Sequence, residues 1–414
     1  MAQPLPAAPS PDERQSAEPT ARIPGAESPA PASLRLPFLE GLRGLAALYV
    51  LNHHMLQTVG WTPPTPGVSA PWRHVVDLFV RGHSAVVVFI VLSGYCLMLP
   101  VVRSRRRELS GGWRTYLRRR AHRILPPYYA AFVFSLLCVL PSFLLGRESG
   151  RHSFSPGNVA SHLALVHNLF PEWVYATNGP LWSIATEWQI YFFFPFLLLP
   201  AWRRWGGAAA IGAGTAVGCA LTWAFPSIHS AAPWFIGLFA LGMVAASINF
   251  AEHESPTWER VPWVWLAVGF GVGAEVLVYV YPPLNWYAPS GVERSPFHWV
   301  SDFILALGTA CLVVHCTRVT TRGEEATSRW VRGLTPRWLV ALGGFSYSLY
   351  LVHVPLLIRV EQVGRALGLS SGGLYAFLAL VGAPLIVVAS RMFHRYFEQP
   401  FLGPGPVASS SRAS

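Results

Sequence analysis

The 414-residue sequence contains no lysine, so arginine supplies all 31 of its Lys and Arg residues. Charged residues of either sign make up only 12% of the chain, against roughly 25% in a soluble domain. Hydrophobic residues make up 52%. A chain so poor in charge is not an ordinary soluble globular protein.

Cysteine is also scarce, and no pair of cysteines has the spacing of metal ligands. All five lie in apolar segments and are interpreted as small buried hydrophobic residues. They are Cys96, Cys138, Cys219, Cys311 and Cys316. The sequence therefore predicts neither a metal site nor a disulfide framework.

Long apolar runs are abundant, for example AVVVFIVLSGYCLMLPVV and YAFLALVGAPLIVVAS. Each is close to the ~20 residues that a helix needs to cross a bilayer. We therefore expect an all-α polytopic membrane protein, a bundle of about ten transmembrane helices. The weaker stretch 157–170 is interpreted as re-entrant or interfacial. The predicted spans are 42–57, 80–100, 124–145, 184–201, 207–225, 232–248, 263–282, 300–316, 343–360 and 374–393.

The arginines are unevenly distributed, and their densest cluster, RSRRRELSGGWRTYLRRRAHR, lies between the second and third predicted spans. If the N-terminus is cytoplasmic, this loop, the 318–337 loop and the region of Arg391 and Arg395 are all cytoplasmic, as the positive-inside rule requires. We expect a multi-pass protein of the cell membrane with both termini in the cytoplasm. The net charge of +11 then reflects topology, and nucleic-acid binding is not expected.

Both ends of the chain differ in composition from the apolar middle. Residues 1–36 are rich in Pro, Ala and Ser without apolar periodicity, which predicts a disordered cytoplasmic tail. Residues 403–414 predict a second short disordered cytoplasmic tail. A single membrane domain is expected between them, at residues 37–402.

The first predicted span, GLRGLAALYVLNHH, contains an arginine and two histidines. On a helix, the eleven-residue separation places Arg43 and His54 about 20° apart around the axis and about 16 Å apart along it. His53 points about 100° away from that face. Small side chains between Arg43 and His54 suggest a lined cavity with the arginine at its cytoplasmic mouth. Alternatively, the histidines only hydrogen-bond inside the bundle and Arg43 extends to the interface.

Two arginines lie one turn apart at the start of the third span, in LRRRAHRILPPYY. Arg120 and Arg123 share a helix face, and paired guanidinium groups suit a phosphate or pyrophosphate. The alternative is an ordinary positively charged cytoplasmic flank.

Two further segments carry polar groups inside apolar spans. Glu187, in LWSIATEWQIYFFFP, needs a partner, and a histidine or an arginine would serve. In FIVLSGYC, the small and polar residues Ser93, Gly94 and Tyr95 are most simply read as helix-packing contacts. Glu275, in GFGVGAEVLVYV, is an intramembrane acid for which the motifs offer no role.

Six segments together resemble the membrane-bound acyltransferase-3 family, which includes O-antigen acetylases and macrolide O-acyltransferases. They occur in the family's order along Pro37–Leu402. The spacing of Arg43 and His54 matches the family's arginine, ten residues and histidine. One departure is Trp188, which follows Glu187 where the family often has a second glutamate. The segments are FLEGLRGLAALYVLNHH, FIVLSGYC, RRAHRILPPYY, LWSIATEWQIYFFFP, LGGFSYSLYLVHVPLL and RYFEQPF.

The resemblance implies transfer of an acyl group, usually acetyl from acetyl-CoA, to a hydroxyl of a sugar or glycosylated acceptor. Acyl-CoA would be a co-substrate, and no permanently bound cofactor is expected. His54 would be the general base that deprotonates the acceptor, with Glu187 orienting or stabilising its ring. Arg120 and Arg123 would bind the CoA phosphates, and Arg43 would steer the pantetheine arm toward His54.

Four other residues are weaker candidates for the substrate channel. Ser93 and Tyr95 would line the acyl side, and Tyr347 and His353 the acceptor side, although each also has a packing explanation. Acceptor choice is expected in the external loops 58–79, 146–180 and 283–299. A different class of function, a transporter or flippase of an acylated or lipid-linked sugar, uses the same charges. Transporters built from repeats usually have matching halves with interrupted spans, which the sequence lacks.

Overall fold

The computed structural model describes residues 34–61, 76–147, 152–250, 256–281 and 298–402. Within these ranges all regular structure is helical, and the chain from Leu36 onward forms one compact unit. The tails predicted to be disordered lie outside the described residues, apart from positions 34–36. Most of the predicted external loops 58–79 and 283–299 also lies outside them.

Twelve helices are named here in chain order. They are α1 (Pro37–Thr58), α2 (Gly82–Val102), α3 (Gly112–Leu144), α4 (Pro156–Leu163), α5 (Leu181–Trp205), α6 (Gly207–Ala224), α7 (Phe235–Asn249), α8 (Trp263–Val280), α9 (His298–Thr321), α10 (Arg337–Gly344), α11 (Ser346–Ala366) and α12 (Ser371–Phe401). Short helices also occur at Pro256–Glu259 and Arg329–Leu334. Both α5 and α12 contain π-helical turns, at Phe194–Leu198, Leu378–Gly382 and His394–Glu398.

The described helices confirm an all-α polytopic membrane protein. Eight of them are long and apolar enough to cross a bilayer, and α10 with α11, bent by 76°, makes a ninth when the bent pair is counted as one span. These nine correspond to nine of the ten predicted spans. The stretch 157–170 forms the short helix α4 and a single 3-10 turn, and it is not among the apolar helices long enough to span.

The remaining predicted span, 42–57, lies in α1, a helix of 22 residues that is not among the helices apolar enough to span on their own. Its polar residues include Arg43 and Asn52 as well as the two histidines. Helices α2, α10 and α11 pack around it. A polar helix is tolerated at membrane depth where it faces protein or a water-filled cavity.

The start of α1 touches its neighbours backbone to backbone. A Cβ atom built on Gly41 would lie 1.6 Å from the carbonyl oxygen of Leu334. A Cβ on Gly343, in α10, would lie 1.8 Å from the carbonyl oxygen of Glu40. Glycine at these positions therefore lets the short helix Arg329–Leu334 and α10 press against α1 next to Arg43.

Helices α2 and α7 cross equally closely. A Cβ atom on Gly94 would lie 2.0 Å from the carbonyl oxygen of Phe239, and one on Gly242 would lie 2.0 Å from that of Val91. Gly94, in the FIVLSGYC segment, thus serves helix packing, as small residues commonly do in membrane bundles.

Glu275 has a partner within the bundle. Its carboxylate forms a salt bridge with Arg81, the residue immediately before α2. Helix α8, which carries Glu275, is otherwise poorly buried, with Ala274 as its single buried residue. The ion pair therefore attaches a peripheral helix to the start of α2 and accounts for an acid that the sequence motifs left without a role.

Candidate active site

We call the C-terminal end of α1, which carries His53 and His54, the histidine end. The imidazole of His54 has a defined orientation there. The Nδ1 atom of His54 lies 3.0 Å from Oε1 of Gln57, one turn further along the helix. Because an amide oxygen only accepts hydrogen bonds, Nδ1 carries the proton and donates it. The other nitrogen, Nε2, then carries the lone pair and has no hydrogen-bond partner among the described residues. The ring is half-buried, so this basic nitrogen faces accessible space.

A second imidazole, from α11, lies beside the first. The rings of His54 and His353 are 5.1 Å apart between centroids. His353 is 1% exposed, and its Nδ1 donates to the carbonyl oxygen of Tyr350 at 2.8 Å. Its Nε2 is buried without a hydrogen-bond partner. The pair of rings therefore presents two unprotonated nitrogens at one end of the bundle.

The neighbouring His53 has a different environment. It is buried, and its ring packs against the first residue of α2. A Cβ atom on Gly82 would lie 2.4 Å from Cδ2 of His53. His53 thus fills the contact between α1 and α2, and the choice of His54 as the acting ring stays a prediction from the spacing.

The three predicted arginines converge at the other end of the same face of α1. Arg43 lies 3.8 Å from Glu40 and keeps 27% of its side chain exposed. The thiol of Cys96, on α2, interacts electrostatically with Arg43, Arg120 and Arg123. We call these three arginines the arginine cluster. The Nε atom of Arg120 is buried without a hydrogen-bond partner.

Glu187 lies with the arginine cluster. Its carboxylate accepts a 2.6 Å hydrogen bond from the hydroxyl of Tyr191, one turn along α5, and it interacts electrostatically with Arg43. The Nδ1 atom of His54, which Glu187 was predicted to orient, bonds to Gln57 instead. A role for Glu187 in the reaction stays a prediction, with an arginine as its charged neighbour.

The weaker channel candidates are distributed over three places. Ser93 reaches the carboxylate through Tyr191, with 3.4 Å between the two hydroxyl oxygens. Tyr347 donates to the carbonyl oxygen of Ile124 at 3.1 Å and interacts electrostatically with Glu187. His353 lies at the histidine end, as described above.

Tyr95 is not brought into the site. It is fully buried, and its hydroxyl lies 2.7 Å from that of Thr317 and 3.4 Å from Nδ2 of Asn249. These partners belong to α9 and α7, so Tyr95 sits in a helix interface.

Two residues of the site were missed in the sequence. Gln57 follows His54 by three positions, and Tyr191 follows Glu187 by four. Side chains three or four apart are neighbours on a helix. A search for polar residues at these offsets would have found both.

The described groups form an interior polar site in a helical membrane bundle, with imidazoles at one end of α1 and arginines of α1 and α3 at the other. Polar and charged groups inside a membrane bundle commonly mark a functional site. The profile of the Acyl_transf_3 family, described as an acyltransferase domain, matches residues 36–391. The chain belongs to this family of membrane acyltransferases.

The relatives agree with the family. The chain is 28% identical over 398 residues to the acyltransferase MdmB of Streptomyces mycarofaciens, covering 89% of this chain and 92% of that protein. It is 22% identical over 413 residues to the proposed O-acetyltransferase SAR0937 of Staphylococcus aureus (strain MRSA252), covering 92% of this chain. The chain spans 59% of the length of that staphylococcal relative. No solved structure matches the chain significantly.

Proposed function

We propose that the protein is a cell-membrane O-acyltransferase that moves an acyl group, acetyl in the simplest case, from cytoplasmic acyl-CoA to a hydroxyl of a sugar or glycosylated acceptor. The observation that carries the proposal is the imidazole of His54. Its Nδ1 proton is held by Gln57, and its Nε2 lone pair is open. A hydroxyl is a poor nucleophile at neutral pH, and an imidazole in this tautomer is a suitable base.

The donor enters at the arginine cluster. Acyl-CoA carries phosphates, and guanidinium groups donate to phosphate oxygens in pairs. The buried, unpartnered Nε of Arg120 supports an anion there, since a buried donor without an acceptor is costly. Arg120 and Arg123 bind the phosphates, and Arg43 steers the pantetheine arm along α1. Acyl-CoA acts as a co-substrate that binds and leaves in each turnover.

The chemical step takes place at Nε2 of His54. This nitrogen accepts the proton of the acceptor hydroxyl while the oxygen attacks the thioester carbonyl carbon. As the tetrahedral intermediate collapses, the carbon–sulfur bond breaks and the CoA sulfur takes the proton from the imidazolium. The products are the acyl ester and free CoA, with no covalent acyl-enzyme.

The acceptor approaches at the histidine end. His353 lines this side, because its ring adjoins that of His54. Ser93 and Tyr347 lie nearer the arginine cluster and line the path of the acyl donor. We call the end of the bundle with the arginine cluster the donor end. The arginine-rich loops lie at this end, which fits a cytoplasmic location for it and for both termini.

The test is acetyl-CoA turnover by purified protein in nanodiscs with a panel of glycan and glycoside acceptors. His54→Gln is compared with wild type and with His315→Gln, a histidine of α9 outside the site. We expect acceptor-dependent release of CoA to fall about 10²–10⁴-fold in His54→Gln and to persist in the control. Equal turnover in His54→Gln refutes the base. No turnover with any acceptor, together with no CoA binding, refutes the reaction and favours transport.

A further inference from the structure

A cavity lies outside the site just described. Its volume is about 480 Å³, within the range of ~300–1,000 Å³ typical of small-molecule sites. Phe345, Arg391, His394, Arg395 and Gln399 provide its larger lining side chains. We call it the α12 pocket. No step of the proposed reaction uses these residues.

The α12 pocket lies at the donor end of the bundle. Its floor is the junction of α10 and α11, and Gly343 in α10 abuts the backbone of Glu40 at the start of α1. Phe401, at the end of α12, contacts the ring of His122 on α3 at 5.4 Å between centroids. His122 is the neighbour of Arg123. The C-terminal end of α12, which lines the pocket, therefore packs against the segment of α3 that carries Arg123.

The lining of the pocket is cationic. Arg391 and Arg395 are one helical turn apart, both are exposed, and neither forms an ion pair with a carboxylate of the described residues. The described residues that line the pocket include no carboxylate. Two adjacent guanidinium groups without partners suit a phosphate group, which accepts hydrogen bonds in pairs from each.

The imidazole of His394, in the pocket lining, is held by a buried carboxylate. Nδ1 of His394 lies 2.8 Å from Oε2 of Glu398, which is 3% exposed. The same oxygen accepts a hydrogen bond from the Ser348 hydroxyl at 2.5 Å. The buried carboxylate therefore holds the imidazole in place, and an imidazole ring is able to stack on a heterocyclic base. The amide of Gln399 can both donate and accept hydrogen bonds with a heterocyclic base.

The pocket is also connected to the site. Tyr347, two residues beyond Phe345, interacts electrostatically with Glu398 behind the pocket and with Glu187 beside the arginine cluster. Its hydroxyl donates to the backbone of α3. Tyr347 therefore links the pocket to the predicted donor path.

We propose that the α12 pocket binds the 3′-phosphorylated adenosine end of acyl-CoA, an inference that rests on the proposed acyl-CoA function. Arg391 and Arg395 take the 3′-phosphate, His394 and Gln399 contact the adenine, and the arginine cluster takes the pyrophosphate. The pantetheine arm then extends past Tyr347 toward His54.

The test measures binding without turnover, using wild-type protein in nanodiscs of zwitterionic lipid and three probes: CoA, dephospho-CoA and adenosine 3′,5′-bisphosphate. We expect wild type to bind CoA at least about tenfold more tightly than dephospho-CoA, because a charge-assisted contact is lost. The double variant Arg391→Gln/Arg395→Gln loses this discrimination and its affinity for adenosine 3′,5′-bisphosphate. Its KM for acetyl-CoA rises at least about tenfold, while kcat at saturation stays within about twofold.

The matched control is Arg203→Gln/Arg322→Gln, two arginines in exposed surface ion pairs. It should bind all three probes as wild type does. Wild type that binds CoA while the Arg391/Arg395 variant binds it equally well overturns the pocket assignment and leaves the proposed reaction standing. Wild type that binds no CoA overturns both. If phosphatidylglycerol nanodiscs show that the double variant loses only lipid retention, the pocket holds a lipid headgroup and the proposal is wrong.

Discussion

Gln57 accepts the Nδ1 proton of His54, the proposed base, and so orients its ring, a function often performed by a carboxylate in catalytic triads. Replacing Gln57 with leucine removes the acceptor of the His54 Nδ1 proton, so the ring is free to rotate and to change tautomer. We expect kcat for acyl transfer to fall about tenfold to a hundredfold, with KM for acyl-CoA unchanged, because the donor contacts lie at the other end of α1. Steady-state kinetics in nanodiscs measure both constants.

Gln362→Leu is the control, since Gln362 is a glutamine of α11 that accepts a hydrogen bond from Arg359 away from the site. It should leave both constants unchanged. A Gln57→Leu protein with wild-type kcat would show that the ring needs no orienting group and would weaken the assignment of His54.

Single-residue geometry within one helix could be predicted from the sequence. The shared face of Arg43 and His54 follows from helix periodicity alone, and α1 is continuous between them. The pairing of Glu187 could not be predicted in the same way, because Arg43 and His54 were both available partners and tertiary packing decides between them. The convergence of the arginine cluster on Cys96 likewise depends on tertiary packing, because Arg43, Cys96 and the two remaining arginines belong to three different helices.

Two adjacent glycines in α10 allow a test of the close contact between α1 and α10. A Cβ atom at Gly343 would overlap the backbone of α1, whereas a Cβ at Gly344 would meet nothing within 4 Å. We expect Gly343→Ala to destabilise the protein by about 1–3 kcal/mol or more, because a backbone cannot move aside as a flexible side chain can. Thermal unfolding in detergent should show a lower Tm for Gly343→Ala.

Gly344→Ala is the internal control for helix propensity and should leave Tm unchanged or slightly raised. If the two variants melt at the same temperature, α1 and α10 are not in the close contact described.

Hydropathy predicted the other spans because they face lipid or apolar neighbours. Hydropathy does not take into account which helices surround a span. The polar residues of α1 are accommodated because α2, α10 and α11 pack around it.

At the scale of the whole molecule, the site is extended rather than compact. Arginines and a carboxylate lie at one end of a face of α1, and imidazoles lie about 16 Å further along the axis. An extended site suits two substrates that approach from opposite ends, because each can bind without crossing the path of the other. The family relationship defines the reaction class, and the separation of the two ends supports a donor and an acceptor drawn from different compartments.

We expect the segment between α3 and α5 to link the stability of the whole bundle to pH. Two fully buried histidines, His162 and His167, stack there with 3.8 Å between ring centroids. Tyr128 of α3 donates to the backbone of His162 at 3.0 Å. Desolvation by burial lowers the pKa of His162 to about 4 and the pKa of His167 well below its usual value.

In the unfolded chain both pKa values return to about 6.5. Between that pH and the folded pKa, the unfolded state binds protons that the folded state excludes, so stability is complete above about pH 6.5 and declines as the pH falls toward 4. We expect Tm to drop steadily over this window, and His162→Gln/His167→Gln to flatten the decline because glutamine does not titrate. The Tm of wild type and of the double variant is measured from pH 7.5 to 4.5. Because both proteins have the same carboxylates, a difference between their curves reports on the two histidines. Parallel curves for the two would mean that other groups cause the acid sensitivity.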